Sequence, residues 1–257
     1  ESVIPYFTAK SEYRLVSRYL RIFGIGESAV ADTLKDLIGT QTNPTLATYA
    51  KDGEVTLRVT ARYKKGENES DIISPVENEI RKRLGGAVYS SDNSSLEQVA
   101  AKLLLENGLT LSIAESCTGG LVSARLTEIP GISAVLDRAV VTYSNRAKIE
   151  ELGVRQETLD RYGAVSEQTA REMAEGVRRV SSADIGTSVT GIAGPGGGTP
   201  EKPVGTVYIA LADRYGTEAV KLGLWGSRSR IRNVTALNVF DLLRRRIENY
   251  TKKEDSI

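Results

Sequence analysis

The chain has 257 residues, enough for one large domain or two ordinary ones, and its 40% apolar and 26% charged content describes a folded globular protein, not a disordered or fibrous one. Thirty-four basic residues against 33 acidic ones leave a formal charge of +1, which gives little compositional support for non-specific nucleic-acid binding. One cysteine, Cys117, and no histidine exclude an intramolecular disulfide and a cysteine-built zinc site and leave a transition metal only carboxylates, so no metal is expected; nor is any other cofactor expected. No 18-residue apolar run marks a membrane span, and the opening ESVIPYFTAK lacks the basic head and apolar middle of a signal peptide. A reducing, cytoplasmic setting away from any membrane is the expectation. The first residue is Glu1 and not Met, which suggests a processed or truncated piece.

In chain order, SEYRLVSRYLRIFG places Tyr13, Val16, Tyr19, Leu20 and Phe23 at helical spacing before Gly24, and is read as a helix. ESAVADTLKDLIG repeats the pattern with Val30, Leu34, Leu37 and Ile38 and ends at Gly39. The period then changes to two. TLATYAKDGEVTLRVTARY alternates Val55, Leu57, Val59 and Ala61 with Thr56, Arg58, Thr60 and Arg62, and Asp52-Gly53 between its arms signals a hairpin. ENESDIISPVENEIRKRLG reads as helix, with Pro75 at a kink or in a second helix's first turn, and GAVYS as a short strand. The polar stretch SSDNSSLEQ marks a domain boundary, giving expected domains of 1–92 and 93–257. Beyond it, an apolar stripe through Leu96, Val99, Ala100, Leu103 and Leu104 predicts a helix that stops at Asn107-Gly108. Strand LTLSIAE, helix CTGGLVSARLTEI, strand AVVTYS and helix VSEQTAREMAEGVRRV capped by Ser166 follow. Strand ADIGTSVTGIAG with its glycine-rich loop, strands VGTVYIALAD and EAVKLGLW, and the long helix SRIRNVTALNVFDLLRRRIENY complete the chain. The fold class expected is a small α+β domain followed by an α/β layered (αβα) domain.

Three stretches carry chemistry. In SIAESCTGG, Ser116 stands where a buried strand gives way to a helix, so it is either presented at the sheet's rim or caps the helix. TYSNRAK supplies Tyr143 and Lys148 at the end of the next strand. A lysine there acts as a base if desolvation lowers its pKa; otherwise the pair is a partly buried aromatic and a solvated charge. TGIAGPGGG packs five glycines around one proline, which lets backbone amides approach a substrate closely, although it matches neither the P-loop nor GxGxxG spacing. Cys117 beside Ser116 is read as a small buried residue and not as a nucleophile. With no histidine available, a Ser–Lys pair is the open route to an activated hydroxyl.

AESCTGG, VVTYSNRAK, GAVSEQTAREMAEG, TGIAGPGGGTPEKPVGTVYIAL and GSRSRIR, in this order, resemble the C-terminal nicotinamide mononucleotide deamidase domain of the CinA (competence/damage-inducible) family. RIFGIGES, NPTLATYA, EVTLRVTA and RKRLGG resemble the KH-like domain that precedes it in longer members. The resemblance implies hydrolysis of nicotinamide mononucleotide to nicotinic acid mononucleotide and ammonia. Ser116 would be the nucleophile, Lys148 its base and Tyr143 the third member of the set. Thr118, Gly119, Gly120, Ser133, Thr190, Gly191 and Arg228 would surround the substrate, and the assembly would be a homodimer. A catalytically silent nucleotide-binding module and an amidohydrolase for a different amide are the competing readings. Gly196 departs from the polar residue, often Asp, that family members carry there. Longer members also have an N-terminal domain resembling molybdopterin-binding proteins and linked with ADP-ribose pyrophosphatase activity. The resemblance begins after it, and no pyrophosphatase activity is expected of these residues. Between residues 11 and 90 there are 12 Lys/Arg and 11 Asp/Glu and no evident GxxG loop, so a structural or dimer-forming linker is expected; Arg58 and Arg62 are the residues that could overturn this.

Overall fold

A computed structural model describes residues 12–254, which divide into two compact units between Ser95 and Leu96. The opening stretch, where a signal peptide would lie, is outside the described residues.

The first unit is a four-stranded antiparallel sheet of order β2-β3-β1-β4, built from β1 (Tyr13–Phe23), β2 (Thr45–Lys51), β3 (Glu54–Lys64) and β4 (Val88–Ser90). Helices α1 (Glu27–Thr33), α2 (Lys35–Gly39) and α3 (Ser70–Leu84) accompany it. The alternation in β3 works as expected: Val55, Leu57, Val59 and Ala61 are buried against Val30 and Leu34 and against Ile73 and Ile80 of α3. Pro75 lies inside the single helix α3.

The helix expected at 13–23 is instead strand β1. It pairs with β3 over eleven residues, from Tyr13 opposite Lys64 to Phe23 opposite Glu54. The same letters carry two periods: Leu20 and Ile22 are two apart and both fully buried, whereas Tyr13, Leu15 and Tyr19 point to the other face and are exposed. Long-range pairing with a strongly alternating partner chose the period of two over the helical reading. The single helix expected over 27–39 is broken at Leu34 into α1 and α2.

The second unit is a layered αβα domain. Its mixed sheet has the order β6-β5-β7-β8-β9, from β5 (Leu111–Glu115), β6 (Leu136–Val141), β7 (Ile185–Gly191), β8 (Thr206–Asp213) and β9 (Gly216–Gly223). β6, β5 and β7 are parallel, and β8 and β9 run antiparallel beyond them. Helices α4 (Leu96–Asn107), α5 (Leu121–Thr127) and the long α9 (Arg228–Glu254) pack together on one side. On the other side α8 (Glu167–Ser181) crosses β5, β7, β8 and β9, with α6 (Asn145–Leu152) and α7 (Gln156–Tyr162) beside it. The expected elements omitted α6 and α7; their short apolar stripes are masked by charged NRAKIEEL and QETLDRY. Ser166 caps α8 as expected, accepting from Thr169 N–H.

This topology positions a site. The chain leaves β5 through α5 to β6 on one side, then returns through α6, α7 and α8 to β7 on the other. The crossovers diverge at β5, and open α/β sheets bind ligands beyond the carboxyl ends of strands at such a switch point.

Candidate active site

Three carboxyl-terminal strand exits meet at that point. β5 runs into Ser116, β6 into Thr142 and Tyr143, and β7 into the glycine-rich loop. They line a cleft of about 280 Å³ that includes Ser116, Tyr143, Lys148, Thr190, Gly191 and Arg228.

Ser116 does not cap a helix. Helix α5 starts only at Leu121, with Gly120 as its N-cap in the left-handed region, so Ser116 lies in the turn between strand and helix. Two neighbours hold that turn. The fully buried Glu115 turns its carboxylate onto the first turn of α5, accepting from the N–H groups of Val122 (3.1 Å) and Ser123 (2.9 Å) and from the Ser123 hydroxyl. From α9, Arg232 donates through Nη2 (2.6 Å) and Nε (3.1 Å) to the Thr118 carbonyl. Among the described residues, no carbonyl accepts from the backbone N–H of Cys117 or Thr118.

Lys148 sits on α6, which Ser144 caps by accepting from Ala147 N–H at 3.1 Å. Helical side chains lean back toward the N-terminus, and this one reaches the end of β6. Its Nζ donates to the Thr142 carbonyl at 2.7 Å and meets Ser116 Oγ at 3.2 Å and the Tyr143 carbonyl at 3.5 Å. Lys148 is 1% exposed and has no carboxylate partner among the described residues. Burial therefore holds its pKa below the ordinary lysine value. Burial acts the opposite way on the adjacent thiol and pushes Cys117 up to about 11, so it stays protonated at neutral pH.

Tyr143 is 62% exposed, and its hydroxyl takes a hydrogen bond from Arg228 Nη2 at 3.3 Å. It faces Lys148 through its backbone carbonyl, not through its phenol. Arg228 also donates through Nη1 to the Gly194 carbonyl at 2.8 Å, so one guanidinium ties the glycine loop to Tyr143. Thr190 bonds the Ala164 carbonyl at 2.7 Å on the cleft floor. Gly194 has φ +79°, and a Cβ there would stand 2.6 Å from Val204, so its backbone can approach a ligand only as glycine. Gly196 lies on the cleft, and a Cβ added there would meet nothing within 4 Å.

The remaining expected residues are arranged differently. Thr118, Gly119 and Gly120 form the turn leading to α5 but do not line the cleft. Ser133 is exposed in the turn Ile132–Ala134 before β6, at the opposite end of the sheet from Ser116. Sequence reasoning passed over Ala164, Val165 and Ile192 in the cleft wall, and Glu115 and Arg232 behind it. Arg232 carried a signal, because it falls in GSRSRIR four residues after Arg228, one turn along the same helix.

Comparison with known proteins decides the family. The CinA C-terminal domain profile matches residues 93–247, and the profile of the damage-inducible protein CinA KH domain matches residues 17–90. The chain belongs to the CinA family. It is 58% identical over 245 residues to a putative competence-damage inducible protein of Acetivibrio thermocellus, covering 95% of this chain and 59% of that one. A CinA-like protein of Dictyoglomus turgidum is 51% identical, with 96% and 60% coverage. The chain thus spans about 60% of the length of the curated CinA relatives it matches. Among solved structures, the competence/damage inducible protein of Agrobacterium tumefaciens is 46% identical with a TM-score of 0.56, covering 58% of this chain and 94% of that one. A CinA superfamily protein of Klebsiella pneumoniae is 34% identical with a TM-score of 0.58, covering 60% and 96%. Among the described residues of this CinA-family chain, no helix is long and apolar enough to cross a membrane, and no group of three or more His, Cys, Asp or Glu is placed to hold a metal.

Proposed function

We propose that this chain hydrolyses the carboxamide of nicotinamide mononucleotide to nicotinic acid mononucleotide and ammonia. One observation carries the reading: a buried lysine amine without a carboxylate partner stands 3.2 Å from a serine hydroxyl on the wall of a cleft. A structural lysine would be expected to reach solvent or a carboxylate; a desolvated one beside a hydroxyl is suited to take its proton.

In the neutral form of Lys148 the Ser116 hydroxyl donates to Nζ. Ser116 Oγ attacks the amide carbon as Nζ takes its proton, and the carbonyl electron pair moves onto oxygen. The N–H groups of Cys117 and Thr118 follow directly on the nucleophile, where donors for that oxyanion are needed. Collapse of the adduct breaks the C–N bond, and the Lys148 ammonium protonates the departing nitrogen to give ammonia. Water then attacks the Ser116 ester with Lys148 as base, releasing the carboxylic acid and restoring the serine. Arg228, exposed at the cleft and fixed on Gly194 and Tyr143, is the cation available for the substrate's 5′-phosphate. Tyr143 orients that guanidinium through its hydroxyl. The expected homodimer is part of the proposal and is read by light scattering.

The test is ammonia release from nicotinamide mononucleotide with and without a chelator. Parent activity that survives chelation and falls at least about 10³-fold in both Ser116→Ala and Lys148→Met supports the reading. A folded parent that binds the nucleotide without releasing ammonia would replace it with a silent binding module.

A further inference from the structure

Among the described residues, the small sheet of the first unit has helices on one face only. Its other face carries a pattern that the near-zero charge of the segment conceals. Cross-strand register places Tyr13 beside Lys64, Leu15 beside Arg62, Ser17 beside Thr60 and Tyr19 beside Arg58. β2 adds Tyr49 opposite Thr56 and Lys51 opposite Glu54 on the same face. Tyr13, Tyr19 and Tyr49 are all more than a third exposed. The Arg58 guanidinium lies over the Tyr49 ring at 5.4 Å, and that of Arg62 over Tyr13 at 4.7 Å.

The charges are segregated. Lys51, Arg58, Arg62 and Lys64 have no ion-pair partner among the described residues. Glu54, on the same face, is taken up by Arg21 and Tyr89. Carboxylates of the helical side pair locally instead: Asp36 and Glu79 hold Arg83, and Glu77 holds Arg18 and Arg81. The segment's balance of +1 is therefore an average over one neutralised side and one cationic side.

We propose that this open sheet face binds single-stranded nucleic acid, its tyrosines and tyrosine-stacked arginines meeting bases while the unpaired cations meet phosphates. Aromatic side chains on an open four-stranded sheet, with cations interleaved, are the surface on which unstacked bases can lie flat. Tyr13 to Tyr19 spans six residues of strand, or about 20 Å, room for two or three bases. A protein partner fits less well, since lysine is depleted at protein interfaces and Lys51 and Lys64 lie on this face. A duplex keeps its base faces covered and offers the rings nothing to stack on.

The test uses the whole chain and fluorescently labelled dodecamers of oligo-dT and oligo-rU, followed by anisotropy against salt. Both single strands bind, or one is preferred, and affinity falls as salt rises. The double variant K51A/K64A lowers the log–log salt slope by about 1.4. Tyr19→Ala weakens binding about tenfold. A duplex of the same length and poly-glutamate bind more weakly than the single strands. Unchanged thermal melting checks that each variant folds. Absence of binding by either strand, binding unmoved by the variants, or equally tight capture of poly-glutamate would overturn the proposal, the last reassigning the face to an acidic protein partner.

Discussion

At the scale of single residues, the decisive group is the amine of Lys148, whose pKa burial holds below the ordinary lysine value of about 10.4. Two consequences follow from the sign of that shift. Activity should rise with pH through an apparent pKa below that value, as the amine becomes able to accept the Ser116 proton; a kcat/KM profile locates it. For stability, the folded chain releases this proton before the unfolded one does. The cost of a buried cation is present in full below the folded pKa and is relieved as pH rises from there toward the unfolded value. Lys148→Met should therefore be at least as stable as the parent at neutral pH, with its advantage shrinking as pH rises through that window. Chemical denaturation of the two proteins at matched pH measures the difference, and a loss of more than about 2 kcal/mol in the variant would mark Lys148 as a structural anchor instead. The resemblance to the CinA family singled out this lysine; the missing histidine only left a Ser–Lys pair as an open route. Local sequence does not show the contact itself, because 32 residues separate the two and the parallel pairing of β5 with β6 closes that distance.

Among the elements, the turn from β5 into α5 shows how a local signal can mislead. A serine after a strand and before a helix reads as a cap, yet the cap work is done by the side chain of Glu115, one residue earlier, reaching Val122 and Ser123. This leaves Ser116 unengaged by the helix. Glu115→Gln removes the charge and one of the acceptor oxygens, and should cost about 1–3 kcal/mol in denaturant unfolding. A variant as stable as the parent would mean that the helix start is held by Arg232 on Thr118 alone. Strand β1 eludes a local reading for a related reason: its apolar residues satisfy two periods, and only the eleven-residue pairing with β3 selects one. The hairpin at Asp52-Gly53 was legible because the turn residues and both alternating arms agree locally.

For the molecule as a whole, the two units have separate cores, and the solved Agrobacterium relative is covered over 94% of its length by 58% of this chain. That share is longer than the first unit, and the cleft residues all fall after Ser95. Residues 96–257 expressed alone should fold and release ammonia with the parent's kcat, while losing the single-strand binding assigned to the first unit. A folded but inactive second unit would mean that the first contributes to catalysis. Ser133 belongs to this scale too: it stands at the far end of the sheet from Ser116, so a role for it in the same cleft is not met within one chain.

Composition, alternation and turn chemistry were enough to indicate a two-part organisation and a layered second domain, because each of these is set by residues close in sequence. Tertiary structure alone decided that β1 is a strand, that Ser116 is free of its helix, and that Lys148 is dry and within reach of it. It also decided that the first unit's charges are sorted to opposite sides of one sheet. Burial and cross-strand neighbours depend on partners tens of residues away, and local sequence carries no record of which partner will arrive.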